Sequence, residues 1–389
     1  MSEINSSNFK KEHGDLAPDL VGVTELTSPY FFVPPSGTTA ERPEDCEPGT
    51  LRFNTDHGSL EVFRGKTIGW ERILKADNQY LGDGTTGAGT RIITGGGYKT
   101  PSAANQNTIE YNTMEVPSNS VDFGDLTNIN AQMGAMSDRT RLVFVQGSQP
   151  GHKNVIQFVS ISSTGDATDF GDTSIEGFGS YAGAAKTRGV FHAVNAPNYN
   201  NVLEYITIQS QGDSVDFGDL VQVGAYRGGN VASTTRGLLM GNYEPSTSDY
   251  YNRDDDIDFF TFATLGNALD FGDMTEVVAS TWSSSNSIRA VRYGNWPTST
   301  NCDFVTIATL GNAIDFGDLS RSSYNHSGGA SKTRILRCGG NGPDNAPVYN
   351  QNTIDFIEIA TTGNFIDFGD MTQEIRNTSS NTSGHGGVA

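Results

Sequence analysis

Pairs of aspartates are the residues of this chain whose type and spacing best suit cation binding. The tetrapeptide Asp-Phe-Gly-Asp occurs six times, with its phenylalanines at Phe123, Phe170, Phe217, Phe271, Phe316 and Phe368. Hard cations such as Ca²⁺ prefer oxygen ligands, so each aspartate pair is a possible cation site. The alternative is a structural role, because one sequence used six times at similar spacing is typical of a repeated architectural unit.

The structural role can be specified from strand geometry. In a pleated strand Phe316 and Asp318 share a face with Ile314, so the phenylalanine can be buried between sheets. Gly317 would allow another backbone to approach closely. Asp318 would accept turn N–H groups or pair with an arginine. A kinase-type role for Asp-Phe-Gly is excluded, because neither the His-Arg-Asp loop nor the strand lysine accompanies it.

Other candidate groups are scattered. Asp254, Asp255 and Asp256, followed by Asp258, form a solvated acidic turn or a weak cation site. The histidines show no metal-ligand spacing, and no Ser-His-Asp order or Cys-His pairing is present. Three dispersed cysteines, Cys46, Cys302 and Cys338, favour reduced structural thiols. We therefore expect a non-enzymatic protein with no catalytic residues, no metal and no cofactor.

Aromatic side chains in loops of variable length are the candidate binding residues. They are Tyr98, Tyr199, Tyr243, Tyr250, Tyr251 and Tyr349. If these loops gather on one face, the tyrosines could stack on sugars and hydrogen-bond to them, or contact another protein. The alternative is that they merely decorate exposed loops.

The elements that position these residues are six repeats of 45 to 54 residues, measured between successive phenylalanines. Each repeat begins with an arginine, usually in a Thr-Arg pair: Arg91, Arg141, Arg188, Arg236, Arg289 and Arg334. A short apolar strand, a variable loop, an alternating strand, a Gly-Asn or Gly-Asp turn and the Asp-Phe-Gly-Asp strand follow. These turn pairs suit two-residue hairpins. The segment after Asp-Phe-Gly-Asp is rich in small residues, which suits an innermost strand.

This period predicts an all-β fold, a six-bladed β-propeller over residues 90–389. The first repeat lacks its innermost strand, whereas residues 371–387 supply one after the last repeat. We expect this C-terminal strand to complete the first blade and close the ring. Deleting residues 373–389 should then open it.

The first 89 residues divide into three parts. Residues 1–36 are polar and Pro-rich, as in an extended arm that orders on a partner. Residues 37–77 contain alternating strands around a turn at residues 55–58, which predicts a small β-hairpin module. Residues 78–89 are a glycine-rich linker.

The module resembles one found in bacteriophage tail and virion proteins. There a Gly-Thr-Thr-x-x-Arg-Pro entry precedes Leu-Arg-Phe-Asn-Thr-Asp, then Leu-Glu and a tryptophan. Here these are residues 37–43, 51–56, 60–61 and Trp70, with Phe63 where tyrosine is frequent. The resemblance implies a protein of a tailed-phage particle. It would be anchored through residues 1–75 to other virion proteins and would display the propeller on the tail, neck or capsid.

Residues 90–389 also resemble kelch-type propellers, chiefly in the order of strands. The double glycine occurs at residues 95–96 and 339–340, and third strands with the kelch Asn-x-x-x-aromatic pattern run over residues 107–111 and 352–356. The usual outer-strand tryptophan is missing, and the phenylalanine of Asp-Phe-Gly-Asp stands in its place. This likeness implies architecture and not an activity.

Charge limits the partners. The formal net charge is −20, which repels a phosphate backbone, so we expect no nucleic acid partner. No stretch of about 18 apolar residues occurs, so no membrane insertion is expected. Two functions are indicated. One is a virion structural protein that could form a homo-oligomer within the particle, and the other is a fibre tip that binds a host-surface carbohydrate.

Overall fold

The computed structural model describes residues 34–43, 45–56, 58–72, 90–99, 104–148, 151–194, 199–224, 228–243, 253–296, 299–342 and 350–388. These residues form an all-β protein with no α-helix; two 3₁₀ turns, Thr39–Glu41 and Gly386–Val388, are its helical elements. No helix within these ranges is long and apolar enough to span a membrane. The chain divides into two compact units, Met1–Ala76 and Asp77–Ala389.

Residues 1–33 of the predicted arm and all of the predicted linker at residues 78–89 lie outside the described residues.

The first unit is one four-stranded sheet in the order β1-β2-β3-β4. Its strands are β1 Ser36–Gly37, β2 Leu51–Asn54, β3 Ser59–Phe63 and β4 Trp70–Arg72.

A buried carboxylate organises this small sheet. Glu61 is fully buried and accepts hydrogen bonds from Arg42 (Nη2 to Oε1, 2.5 Å; Nε to Oε2, 3.1 Å) and from Asn54 Nδ2 (2.5 Å). Arg52 donates to the carbonyl oxygen of Thr38 at 3.1 Å. Hydrogen bonds from Arg42 lower the pKa of Glu61. The motif residues therefore meet in one cluster, whose charge pairs satisfy each other away from water.

The second unit contains the six repeats. In the first two, the strands are β5 Arg91–Gly95, β6 Tyr98–Lys99, β7 Ala104–Thr113, β8 Val121–Asn130, β9 Gly134–Ser137, β10 Arg141–Val145, β11 Lys153–Ser160 and β12 Thr168–Ala185. In the third and fourth, they are β13 Arg188–Val194, β14 Asn200–Thr207, β15 Val215–Gly224, β16 Arg236–Tyr243, β17 Arg253–Thr261 and β18 Leu269–Val278. In the last two, they are β19 Trp282–Ser285, β20 Arg289–Asn295, β21 Ser299–Thr306, β22 Ile314–Asp318, β23 Ser327–Ala330, β24 Arg334–Cys338, β25 Gln351–Glu358 and β26 Ile366–Arg376, followed by β27 Ser379–Thr382.

Each repeat folds as an antiparallel sheet in chain order. The orders are β9-β10-β11-β12, β12-β13-β14-β15, β16-β17-β18, β19-β20-β21-β22 and β23-β24-β25-β26. The first repeat pairs β5, β7 and β8, and its remaining edge is taken by β27 from the C-terminus, with Ser380 opposite Thr94. The long strand β12 serves two sheets, and β6 bridges β26 to β7.

The repeated aromatic and arginine residues pack identically in all six sheets. Each Asp-Phe-Gly-Asp phenylalanine is at most 3% exposed. It meets an aromatic ring of the preceding strand edge-on, at 5.5 to 6.1 Å between centroids. The arginine that begins the repeat lies over that second ring at 4.6 to 5.0 Å. Burial, ring packing and cation–π attraction thus act together in every repeat.

The strand face on which these residues lie differs from the prediction. Phe316 is buried, whereas Ile314 is 59% exposed. The cause is a β-bulge: Cys302 pairs with Gly317 and Asp303 with Asp315, which leaves Phe316 as the extra residue. The other repeats show the same register shift at this point. A bulge turns the side chain it inserts, so simple alternation fails here.

The second aspartate also acts differently from the prediction, since its backbone makes the recurring contact. The N–H of Asp318 donates to Asn364 Oδ1 in the next repeat's turn (3.1 Å), and its carbonyl accepts from the N–H of Phe365 (2.8 Å). Equivalent side-chain acceptors in the other repeats are Asp166, Asp213, Asn267, Asn312 and Asn119. The predicted close approach at Gly317 is confirmed, because an added Cβ there would overlap the carbonyl oxygen of Gly363. We call this contact the inter-repeat clasp.

Two further contacts link each repeat to the next. The first arginine donates to a backbone carbonyl of the following repeat, as Arg289 does to Ile359 and Ala360. In five of the six repeats a hydroxyl just after Asp-Phe-Gly-Asp donates to a buried acid or amide, as Ser320 does to Asp355 at 2.7 Å; the third repeat has Val221 at this position, and Gln222 donates to Asp256 instead. The sixth repeat makes both contacts with the first, through Arg334 to Met114 and Glu115 and through Thr372 to Glu110.

The C-terminal residues lie across one end of the innermost strands. His385 is fully buried, with Nε2 donating to the carbonyl oxygen of Ser137 (2.8 Å) and Nδ1 accepting from the N–H of Gly387 (3.1 Å). Arg139 donates twice to the carbonyl oxygen of Val388. Burial lowers the pKa of His385 to about 4. The last turn is therefore a packed part of the second unit.

Candidate functional site

The opposite end of the innermost strands carries a set of residues in an unusual backbone conformation. Gln132, Ser280, Asn325 and Asn377 have φ angles of 53°, 52°, 52° and 55°. Each stands nine residues after its Asp-Phe-Gly-Asp phenylalanine. The N–H of Gln132 donates to Asn377 O (2.9 Å), that of Asn377 to Asn325 O (2.8 Å) and that of Asn325 to Ser280 O (3.2 Å). Left-handed backbone suits asparagine, and these bonds join four repeats at one rim.

These residues surround a small cavity, which we call the axial pocket, of about 50 Å³. Segments that follow all six Asp-Phe-Gly-Asp strands contribute to it. Its lining residues are Gln132, Met133, Phe178, Gly228, Ser280, Thr281, Trp282, Asn325, His326, Asn377 and Thr378. None of these eleven carries a formal charge with histidine neutral. The pocket therefore offers amides, hydroxyls and aromatic rings.

His326 is the lining residue with unused hydrogen-bonding capacity. It is 2% exposed, stacks on Tyr293 at 5.4 Å between centroids, and places Nε2 3.0 Å from the carbonyl oxygen of Tyr293. Nδ1 has no partner among the described residues. Burial, and then the charge of Arg337, lower the pKa of His326 to about 3. The ring is therefore neutral, and with Nε2 donating to the carbonyl, Nδ1 is a free acceptor.

Tyr199 and Tyr243, two of the predicted binding residues, meet beside this pocket. Their ring centroids are 6.5 Å apart, and Tyr199 lies 6.5 Å from Phe178, which lines the pocket. His152 continues the series 6.0 Å beyond Phe178. Tyr199 and Tyr243 are half-buried. We call Phe178, Tyr199 and Tyr243 the aromatic track.

The other predicted tyrosines are not brought to this track within the described residues. Tyr98 lies in β6, where the sixth and first repeats join, under the guanidinium of Arg376 at 4.8 Å. It serves the junction between sheets. Tyr250, Tyr251 and Tyr349 lie outside the described residues.

The acidic candidates are engaged by the backbone. The carboxylates of Asp254, Asp255 and Asp256 approach within 4.8 Å of one another. Asp254 Oδ1 accepts from the N–H groups of Asp255 (2.8 Å) and Asp256 (3.3 Å), and Asp256 Oδ2 accepts from Gln222 (2.5 Å). The prediction of a solvated acidic turn is therefore wrong, because these half-buried residues lie in strand β17, where the carboxylates of Asp254 and Asp256 accept hydrogen bonds from the protein.

Sequence reasoning missed Phe178, Trp282, His326 and the residues of the rim. One signal could have found the rim, namely the polar residue that recurs nine positions after the phenylalanine in four repeats. His326 carries no such signal, because its burial and its free nitrogen depend on the surrounding sheets. Comparison with models of known protein families gives no match, and a search of curated proteins gives none either.

Proposed function

We propose that the chain is a non-enzymatic structural protein of a tailed-bacteriophage particle, bound to other virion proteins through residues 1–75. The main support for this proposal is the small sheet of the first unit. The residues that bear the phage-module resemblance, among them Arg42, Asn54 and Glu61, are also those that meet in its buried cluster. One set of residues thus accounts for both the sequence motif and the stability of the element.

We further propose that residues 90–389 form a closed six-bladed, kelch-like propeller displayed on the particle. Three kinds of contact support closure, because each recurs from the sixth repeat to the first. Asp370 N–H reaches Asn119 Oδ1 (3.0 Å), Arg334 reaches Met114 and Glu115, and β27 pairs with β5. A closed ring leaves only short, protected sheet edges, which suits a protein exposed on a particle, since open edges promote aggregation.

Mass spectrometry of purified particles of the phage that encodes the chain tests this role. Peptides of the chain should be recovered at a fixed copy number. A complemented phage carrying Glu61→Ala, which removes the acceptor shared by Arg42 and Asn54, should incorporate less protein. Lys186→Gly, in the second unit, should incorporate normally. Particles that lack the chain entirely would refute the proposal.

A second candidate function is recognition of a host-surface carbohydrate. The aromatic track favours it, since Tyr199 and Tyr243 are placed side by side and lead to a pocket of amides and hydroxyls. Aromatic faces with adjacent polar groups bind amphipathic ligands such as sugars. Purified protein should compete with phage for adsorption to host cells, and periodate oxidation of the cells should abolish that competition. Adsorption that the free protein never inhibits would count against it.

A further inference from the structure

The charge of the axial pocket narrows the class of ligand it can take. The eleven lining residues include no carboxylate, lysine or arginine, so within the described part of the chain neither an anion nor a cation finds a complementary charge there. The chain's formal charge of −20 additionally repels anions. A buried ionic ligand without a partner would lose its hydration uncompensated. The pocket therefore selects an uncharged ligand.

The polar groups of the pocket require a ligand rich in hydroxyls. Gln132, Asn325 and Asn377 are half-buried at the rim, and an amide both donates and accepts hydrogen bonds. A sugar hydroxyl can donate to an amide oxygen while accepting from an amide N–H. A purely apolar ligand would leave these groups unpaired.

Aromatic side chains lie next to those polar groups and meet one another edge to face. Trp282 lines the pocket with its Nε1 already donating to the carbonyl oxygen of Gly328 (3.0 Å), so its ring is held by the core. Phe178 connects the pocket to Tyr199 and Tyr243. At about 50 Å³ the cavity admits one hydroxyl-bearing edge of a sugar, while the rest of the ring can lie along the aromatic track.

We propose that the axial pocket binds the uncharged terminal sugar of a glycan, with the rim amides of Gln132, Asn325 and Asn377 receiving its hydroxyl groups. The proposal rests on the second candidate function and specifies its ligand. It places recognition on the axis, where segments from all six repeats meet, and it makes recognition independent of metal ions.

Ligand-observed NMR with the full chain tests the site. The probes are galactose, glucose, mannose, N-acetylglucosamine, N-acetylgalactosamine, fucose and rhamnose, with sialic acid and glucuronic acid as charged comparators. At least one neutral sugar should give saturable binding with a dissociation constant of about 1 mM. The double variant Asn325→Gly, Asn377→Gly should weaken it at least about tenfold, because two amides are lost while glycine keeps the left-handed backbone.

Lys186→Gly is the matched control, since Lys186 has φ 53° and belongs to the turn at the other end of the innermost strands. It should bind as the parent does. Circular dichroism and melting temperature verify that all variants are folded. The proposal is overturned if no neutral sugar saturates, if only charged sugars bind, or if the double variant binds normally. Adsorption to cells without sugar binding would overturn this pocket assignment while leaving the receptor function in place.

Discussion

Gly317 illustrates how a single residue sets the spacing between neighbouring sheets. Its φ is +142°, and the carbonyl oxygen of Gly363 from the next repeat occupies the space where a side chain would begin. Gly363, on the other side of the same contact, faces open space. Sequence could identify the glycine as a point of close approach. It could not reveal that the partner is the next repeat's turn, because that contact is tertiary.

We predict that Gly317→Ala destabilises the protein by about 2–4 kcal/mol, because both the backbone angle and the neighbouring carbonyl oppose a Cβ. Gly363→Ala should cost less than about 1 kcal/mol. Urea denaturation of both variants measures the difference. Equal effects of the two substitutions would contradict the inter-repeat clasp.

His385 gives a pH dependence at the residue scale. Its pKa is about 4 in the folded protein, against about 6.5 when unfolded. The unfolded chain therefore binds a proton more readily between these values. The contribution of His385 to the free energy of unfolding is therefore fully present above about pH 6.5 and is lost as the pH falls toward 4. His326 adds a loss of the same sign, since its pKa is about 3.

We predict that His385→Asn reduces the loss of unfolding free energy between pH 7 and 4.5 by about 2–3 kcal/mol. His152→Asn, at an exposed position, is the control for replacing a histidine by asparagine. Chemical denaturation at a series of pH values measures the slope. A parallel pH profile for His385→Asn and the parent would show that the buried histidine is not the cause.

At the scale of elements, the period predicted the strands well, whereas the predicted two-residue hairpins are wrong, because the connection that holds the Gly-Asn pair is seven residues long, as between Thr306 and Ile314. Arginine starts, Gly-Asn turns and alternating residues such as those in Ser299–Thr306 are local signals, and local signals suffice for hairpins. The β-bulge at Phe316 was not predictable from alternation, because the extra residue is accommodated by pairing with the adjacent strand. As a result, Ile314 is exposed and Phe316 is buried, although simple alternation places both on the same face.

The C-terminal strand is the element with the most distant partner. We predict that deleting residues 373–389 lowers the melting temperature by at least about 10 °C, because β5 loses its pairing strand and the first sheet gains an open edge. Deleting residues 1–33, which lie outside the described residues, is the control and should leave that transition unchanged. A C-terminal deletion with the parent's melting temperature would refute the role of β27.

At the scale of the whole second unit, closure predicts that the junction between the last and first repeats is as strong as any other. Arg334 and Arg289 each lie over an aromatic ring and donate to two carbonyls of the following repeat; Arg334 also pairs with partly exposed Glu358. Arg334→Ala and Arg289→Ala should each cost about 1.5–3 kcal/mol. Urea denaturation compares them. If only Arg289→Ala lowered the free energy of unfolding, the last repeat would not contact the first, and the repeats would form an open array instead of a closed ring.

The candidate site belongs to this largest scale, which explains how little of it the sequence revealed. Tyr199 and Tyr243 were identifiable as loop aromatics, yet the contacts that Tyr199 makes with Tyr243 and with Phe178 depend on how three repeats pack against one another. The rim residues Gln132, Ser280, Asn325 and Asn377 are common polar residues, and only the packing of four repeats brings them together. Tertiary placement, and not residue type, makes the axial pocket.

Electron cryo-microscopy of purified phage particles tests the central proposal most directly, because it examines the particle, the attachment and the ring at once. We predict a six-lobed ring on the particle surface, tethered through the N-terminal unit, with Ser379–Thr382 paired to Arg91–Gly95. Particles without such density, a ring of five or seven sheets, or attachment through the ring itself would contradict the proposal.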